Sequence, residues 1–218
     1  MERQKGKNMN SKKKEIQRLT LAAFFVAIQL IMGFTPIGYI PVGAISITTM
    51  HLPVILAGIV LGPAWGAATG FVFGLTSMIN ATMKPGLTSF CFSPFITVGG
   101  VHGNFASLII AFGPRIFLGW NSGMMYRFLV KKNTNWGLAS TITAALNTLI
   151  HTLLVMGFIW LFFGTQYANA AGIGVGAVII TVLTSNGILE ILLAAIVIPA
   201  LVRALKPAIV RMGLAVSN

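Results

Sequence analysis

Hydrophobic residues run along this chain in long, nearly uninterrupted blocks. After Arg18 no Lys, Arg, Asp or Glu occurs until Lys84, a stretch well beyond the roughly 20 apolar residues a helix needs to cross a bilayer. The first block, residues 19–34, predicts a span closed by "FTPIGYIPVG", whose prolines and glycines cannot continue a helix. Residues 48–80 are apolar but broken by "LGPAWG", which predicts two antiparallel helices with a tight cytoplasmic turn at Gly62-Pro63. Together they are short for two full crossings, so at least one is expected to stop before the far interface. Residues 81–104 are rich in Gly, Pro, Ser and Thr and read as a long outer loop, apolar enough to re-enter the bilayer. A fourth span is expected from about Phe105 to Val130, a fifth over 136–164 and a sixth over 174–204.

Composition agrees with this pattern. Of the 218 residues, 56% are hydrophobic and 8% charged, with a mean hydropathy of +0.88. A soluble domain cannot hide that much apolar surface. The net charge of +12 is concentrated in three clusters: seven basic residues up to Arg18, then Arg127, Lys131 and Lys132, then Arg203, Lys206 and Arg211. With six spans and both termini inside, 13 of the 15 Lys and Arg fall on the cytoplasmic side, as the positive-inside rule asks, leaving Lys84 and Arg115 as exceptions. Five or seven spans would put a cluster on the wrong side. The clustering also argues against a nucleic-acid surface.

The expected architecture is an all-α integral membrane protein of six transmembrane helices with cytoplasmic N- and C-termini. Its parts are a basic cytoplasmic segment 1–18, one membrane domain 19–206 and a cytoplasmic tail 207–218. The apolar run after the basic residues lacks a small-residue cleavage site, so the first span is expected to be retained. The single cysteine, Cys91, excludes an internal disulfide.

Ionisable groups inside a membrane are costly, which makes each a candidate for function. Arg115 and Glu190 stand out, with His151, Asn147 and Asn186 as polar companions. Asn147 and His151 are four residues apart, as are Asn186 and Glu190, so each pair shares a helix face. Arg115 lies about 15 Å below the outer surface at the standard helical rise. A site lined by the fourth, fifth and sixth spans and open to the outer loops would collect all five. The spacing leaves a second reading open, in which these residues make interhelical hydrogen bonds worth roughly 0.6 kcal/mol each and Glu190 is a structural counter-ion to Arg115 or another donor. Outer segments 35–47 and 81–104 carry hinge residues and the aromatics Tyr39, Phe90, Phe92 and Phe95, suited to closing over a ligand or to plain connection.

"AAFFVA" sets Ala23 and Ala27 on one face of the first span, where small residues allow close approach of another helix. Glycines 58, 62, 66, 70 and 74 read as close-packing faces on the second and third spans. No G-x-x-x-x-G-K-[ST], H-E-x-x-H or G-x-S-x-G occurs, so hydrolysis of ATP through a P-loop is excluded and an enzyme is not indicated. His51, His102 and His151 are too scattered to argue a metal site, and no cofactor is expected.

Taken together, the six spans, "AAFFVA", "HLPVILAGIVLGPAWGAATGFVFGLTSM", "SFCFSPF" and "GPRIFLGW" resemble the substrate-binding S-component of energy-coupling factor (ECF) vitamin transporters. The resemblance covers the chain after its basic segment and is most like the pantothenate-specific branch. It implies tight vitamin binding from outside by the outer halves of the last three helices and the outer loops. It also implies docking through Ala23 and Ala27 onto a transmembrane coupling subunit that carries two ATPase subunits, delivery by toppling of the whole subunit, and a Gram-positive host. Pantothenate is a small anion with a carboxylate, an amide and two hydroxyls. Arg115 would suit the carboxylate, Asn147, His151 and Asn186 the amide and hydroxyls, and Glu190 a hydroxyl. The Pro-Arg of "GPRIFLGW" looks like a wider family feature, which leaves Arg115 a bracing role as well. Riboflavin, cobalamin and folate stay open as ligands. A stand-alone proton-coupled carrier using His151 and Glu190 is the alternative outside this class, although the spans show no clear inverted repeat.

Overall fold

The computed structural model describes residues 2–42, 45–86, 88–172 and 174–211. The expected tail beyond residue 211 lies outside them. Helix α1 (Glu2–Phe34) runs without a break through the basic segment into the first apolar block. Next come α2 (His51–Leu61), α3 (Pro63–Met83), α4 (Phe105–Lys131), α5 (Trp136–Ala171), α6 (Val175–Val182) and α7 (Ile188–Arg211). Among the described residues three stretches are long and apolar enough to cross a membrane: Lys12–Phe34, Trp136–Asn169 and Ile180–Arg211. Helices α3 and α4 are outside that set by composition: Gly, Thr, Ser and Asn interrupt their apolar residues, and α4 carries Arg115.

Helix α2 is the centre of the fold. Its 11 residues span only about 16 Å, and it packs against α1, α3, α4 and α7. Met50 just before it and Val54, Ile55 and Ala57 within it have no accessible surface. Gln29 of α1 donates through Nε2 to the Met50 carbonyl at 3.1 Å, fixing the start of α2 against α1. The reversal into α3 takes one residue, Gly62, at φ 106°; this conformation is open to glycine and strained for a side chain. Pro63 opens α3, where its missing N–H costs nothing.

The tightest seam lies between α3 and α4. A Cβ on Gly66 would collide with the Gly119 carbonyl oxygen, and one on Gly70 would collide with that of Arg115. The two backbones are in contact, so Arg115 is held at a fixed height.

Both outer segments contain strands that the helix-only expectation lacked. Residues Tyr39–Val42 (β1) and Ile45–Thr48 (β2) pair as an antiparallel hairpin, and Thr97–Val98 (β3) pairs with Val101–His102 (β4). The second segment is pinned to the helices. Asn104 caps α4 in a reciprocal box with Ser107, whose hydroxyl also donates to the Phe90 carbonyl at 2.7 Å. Phe90 meets Phe163 edge-on with centroids 5.5 Å apart, inside a cluster with Cys91, Ile110, Met156 and Ile159. Burial pushes the Cys91 thiol up to about 12, so it remains protonated and inert at neutral pH. Phe163 carries non-helical angles, so α5 kinks where the sequence suggested an end and then continues to Ala171.

A π-turn over Leu183–Gly187 joins α6 to α7. It inserts one residue into the helical register over a stretch that includes Asn186, one turn from Glu190.

Candidate functional site

A cavity of about 760 Å³ opens among the end of α1, the second half of α3, the 84–92 segment, α4, α5 and the α6–α7 junction. Such a volume suits a small organic molecule. Four of the five polar candidates line it: Arg115, His151, Asn186 and Glu190. Asn147 does not.

Arg115 owes its position to the residue before it. Pro114 lies inside α4 and has no amide hydrogen, so the carbonyl of Ile110, four residues back, lacks its helical donor. The Nη1 group of Arg115 donates to that carbonyl, restoring in side-chain form the bond that proline removed. The guanidinium carbon also lies 5.3 Å from the Phe73 ring centroid and 5.1 Å from that of Phe92, so an aromatic ring stands within cation–π range from α3 and another from the outer segment. Arg115 is buried at 6% exposure and acts electrostatically on both His151 and Glu190.

Glu190 faces the other outer segment. Its Oε1 accepts from the Thr48 amide at 2.8 Å, at the end of the β1–β2 hairpin, and Thr48 itself borders the cavity. One carboxylate therefore ties the last helix to the segment leading into α2. Its neighbour Asn186, half-buried on the π-turn, accepts from Ser185 Oγ at 3.2 Å through Oδ1. His151 packs against Phe73 with ring centroids 6.0 Å apart. Its Nε2 is buried without a hydrogen-bond partner among the described residues, an arrangement a bound polar group would complete.

Asn147 is one turn before His151 on α5 and is fully engaged there. Its Oδ1 accepts from Asn121 at 2.7 Å, and its Nδ2 donates to the Thr143 carbonyl at 2.9 Å and lies 3.4 Å from Met125 Sδ. This is a bond between α4 and α5. Of the loop aromatics, Phe92 lines the cavity, Phe90 is in the core and Phe95 is 70% exposed; the Tyr39 side chain lies outside the described residues.

The cavity wall also contains residues that the sequence did not single out, above all Phe73, Ser77 and Asn80 on α3 and Lys84 at its end. Their signal was present as polar positions 77, 80 and 84 spaced along one face of an otherwise apolar helix. Among the described residues no group of three metal-ligating side chains occurs. On α1, Ala23 and Ala27 are exposed on a face that no other part of the described chain covers, with Phe24 and Ile31 beside them.

A family model described as "ECF transporter, substrate-specific component" matches residues 17–202. The chain is 35% identical over 196 residues to "Pantothenic acid transporter PanT" of Lactococcus lactis subsp. cremoris, covering 88% of this chain and 97% of that protein. It is 30% identical over 211 residues to "Pantothenate transporter PanT" of Leuconostoc mesenteroides, covering 90% and 95%. Among solved structures, that of the S-component for biotin from an ECF-type ABC transporter aligns with a TM-score of 0.51 at 18% identity, over 87% of this chain and 92% of that one. This last likeness concerns the fold.

Proposed function

The chain belongs to the ECF transporter, substrate-specific component family, and on that premise we propose that it is the pantothenate-binding membrane subunit of an ATP-driven importer. It is a transport subunit of a bacterial membrane. The ligand reading rests on one observation. The cavity joins two cations, one buried and one at its rim, with a carboxylate, an amide and an orphaned imidazole nitrogen among apolar side chains, the complement of a small anion bearing hydroxyls and an amide. The names of the two relatives support the same ligand.

In this reading α1, α2, α3, α4, α5 and the joined α6–α7 are six membrane-embedded elements, α2 completing its crossing with the segment that leads into it, with both termini cytoplasmic and the cavity open to the outside. His151, Asn186 and Glu190 contact the ligand, and Arg115 shapes the wall. Asn147 supports that wall from one turn deeper through Asn121. The exposed Ala23 and Ala27 seat a transmembrane coupling subunit, which carries two ATPase subunits. The host is a Gram-positive bacterium, as the lactic acid bacteria among the relatives suggest.

The test is titration calorimetry on the purified chain with pantothenate, riboflavin, folate and cobalamin in separate runs. Tight one-to-one binding of pantothenate alone is the expected result. Tight binding of a different vitamin removes the ligand assignment and leaves the class.

A further inference from the structure

Two cations line the cavity, Arg115 and Lys84, and they are differently disposed towards a bound anion. Arg115 is tied to the Ile110 carbonyl that Pro114 leaves without a donor, and it lies near two aromatic rings. Lys84 ends α3. Its backbone amide closes the last turn by donating to the Asn80 carbonyl at 2.9 Å, and its side chain is exposed at the cavity rim. Among the described residues no carboxylate reaches it. Glu190 accepts from Thr48 on the far wall. Glu15, on the helix whose end borders the cavity at Gly33, lies about 27 Å from that end at the helical rise, and Glu2 is further still. The nearby Asn80 amide is engaged, donating to the Gly33 carbonyl.

From this geometry we infer that Lys84 supplies the charge contact for the ligand's carboxylate, so that the ligand lies with its acid end at the rim and its hydroxyl end inward, towards Glu190, Asn186 and His151. An ammonium on a flexible stem suits this place. It can meet a carboxylate entering from water and follow it without disturbing a packed helix. Charge steering adds to the effect, because an unopposed cation at the mouth raises the encounter rate of anions. The assignment rests on the pantothenate reading above, and the experiment separates the two.

Calorimetry is run on the unchanged chain, Lys84→Gln and Lys84→Arg, each with pantothenate and with its neutral analogue pantothenyl alcohol. The unchanged chain is expected to prefer the acid. Lys84→Gln should weaken acid binding by roughly ten- to a hundredfold, the worth of one charged hydrogen bond, with alcohol binding unchanged. Lys84→Arg should stay within about threefold of the unchanged chain, since it keeps the charge. Equal weakening of acid and alcohol in Lys84→Gln, or no weakening of either, overturns the assignment and leaves the pantothenate reading standing. If the unchanged chain binds neither compound, the pantothenate reading falls and the assignment falls with it.

Discussion

Two helices of this protein carry the same device, small residues four apart on one face, and meet opposite fates. On α3 the stripe of Gly66, Gly70 and Gly74 is filled by α4 so closely that a Cβ at any of the three would collide with its backbone or with Phe112. On α1 the pair Ala23 and Ala27 is left exposed, while the opposite face holds the buried Ala22, Phe25 and Gln29. A small-residue stripe confers the capacity for close approach and says nothing of the partner. The seam used within the chain fixes the cavity wall. The uncovered stripe is where a second chain has room to dock.

The most damaging way to probe this contrast is Gly119→Leu. A Cβ there would collide with the Gly66 carbonyl oxygen, and rigid backbone cannot yield as a flexible side chain can. We expect no folded, ligand-binding protein, read as loss of the monodisperse peak in detergent; a well-folded variant would show the seam to be looser than described. Ala23→Trp with Ala27→Trp should do the reverse. Thermal stability and calorimetric affinity stay as they are, because no described part of the chain covers this face, while vitamin uptake by cells is abolished. Uptake at the normal rate would remove the docking role and revive a self-sufficient carrier.

Smaller effects test how α4 is held. Arg115→Met is expected to cost about 1–3 kcal/mol of stability, since it leaves a buried carbonyl unpaired. In a Pro114→Ala background, where the backbone amide can serve Ile110 itself, the same change should cost less by about 1 kcal/mol. A double-mutant cycle by thermal unfolding measures that difference, and strict additivity would break the link between the two residues. Smallest of all, Asn147→Ala should lower stability by roughly 0.6–2 kcal/mol, the range for an interhelical polar bond in a membrane, and leave the ligand's dissociation constant within about twofold.

These contrasts also show what a single sequence can and cannot convey. The one-residue turn at Gly62-Pro63 was legible because proline and glycine have local requirements. The start of α4 at Phe105 was legible as the point where the Gly-, Pro-, Ser- and Thr-rich segment gives way to an apolar run, and the structure adds the Asn104–Ser107 cap that fixes it. The pairing of Asn186 with Glu190 comes from helical periodicity, and the π-turn between α6 and α7 does not displace it from the cavity. Asn147 shows where periodicity ends. It shares a face with His151, yet one turn along the helix that face meets Asn121 rather than open space, a fact of packing between α4 and α5. Lys84 was read only as an exception to charge bias, since its place at the rim depends on how α3 leans on α4. The hairpin over Tyr39–Val42 and Ile45–Thr48 was hidden by the Pro and Gly of its sequence. Those residues end a helix equally well before a strand, a turn or a loop.

The proline–arginine step on α4 bears on how such proteins diverge. An arginine that serves as the missing amide of its own helix is a piece of backbone encoded as a side chain, so the two positions are coupled in their effect on the helix. Losing the proline first makes the arginine dispensable to the helix, and only then can it drift to another task such as reading a ligand. Losing the arginine first leaves a defect that the proline makes permanent. The order in which the two codons change therefore decides whether a descendant can acquire a new anion contact at this height, and most lineages would be expected to keep both or to exchange the proline before its neighbour.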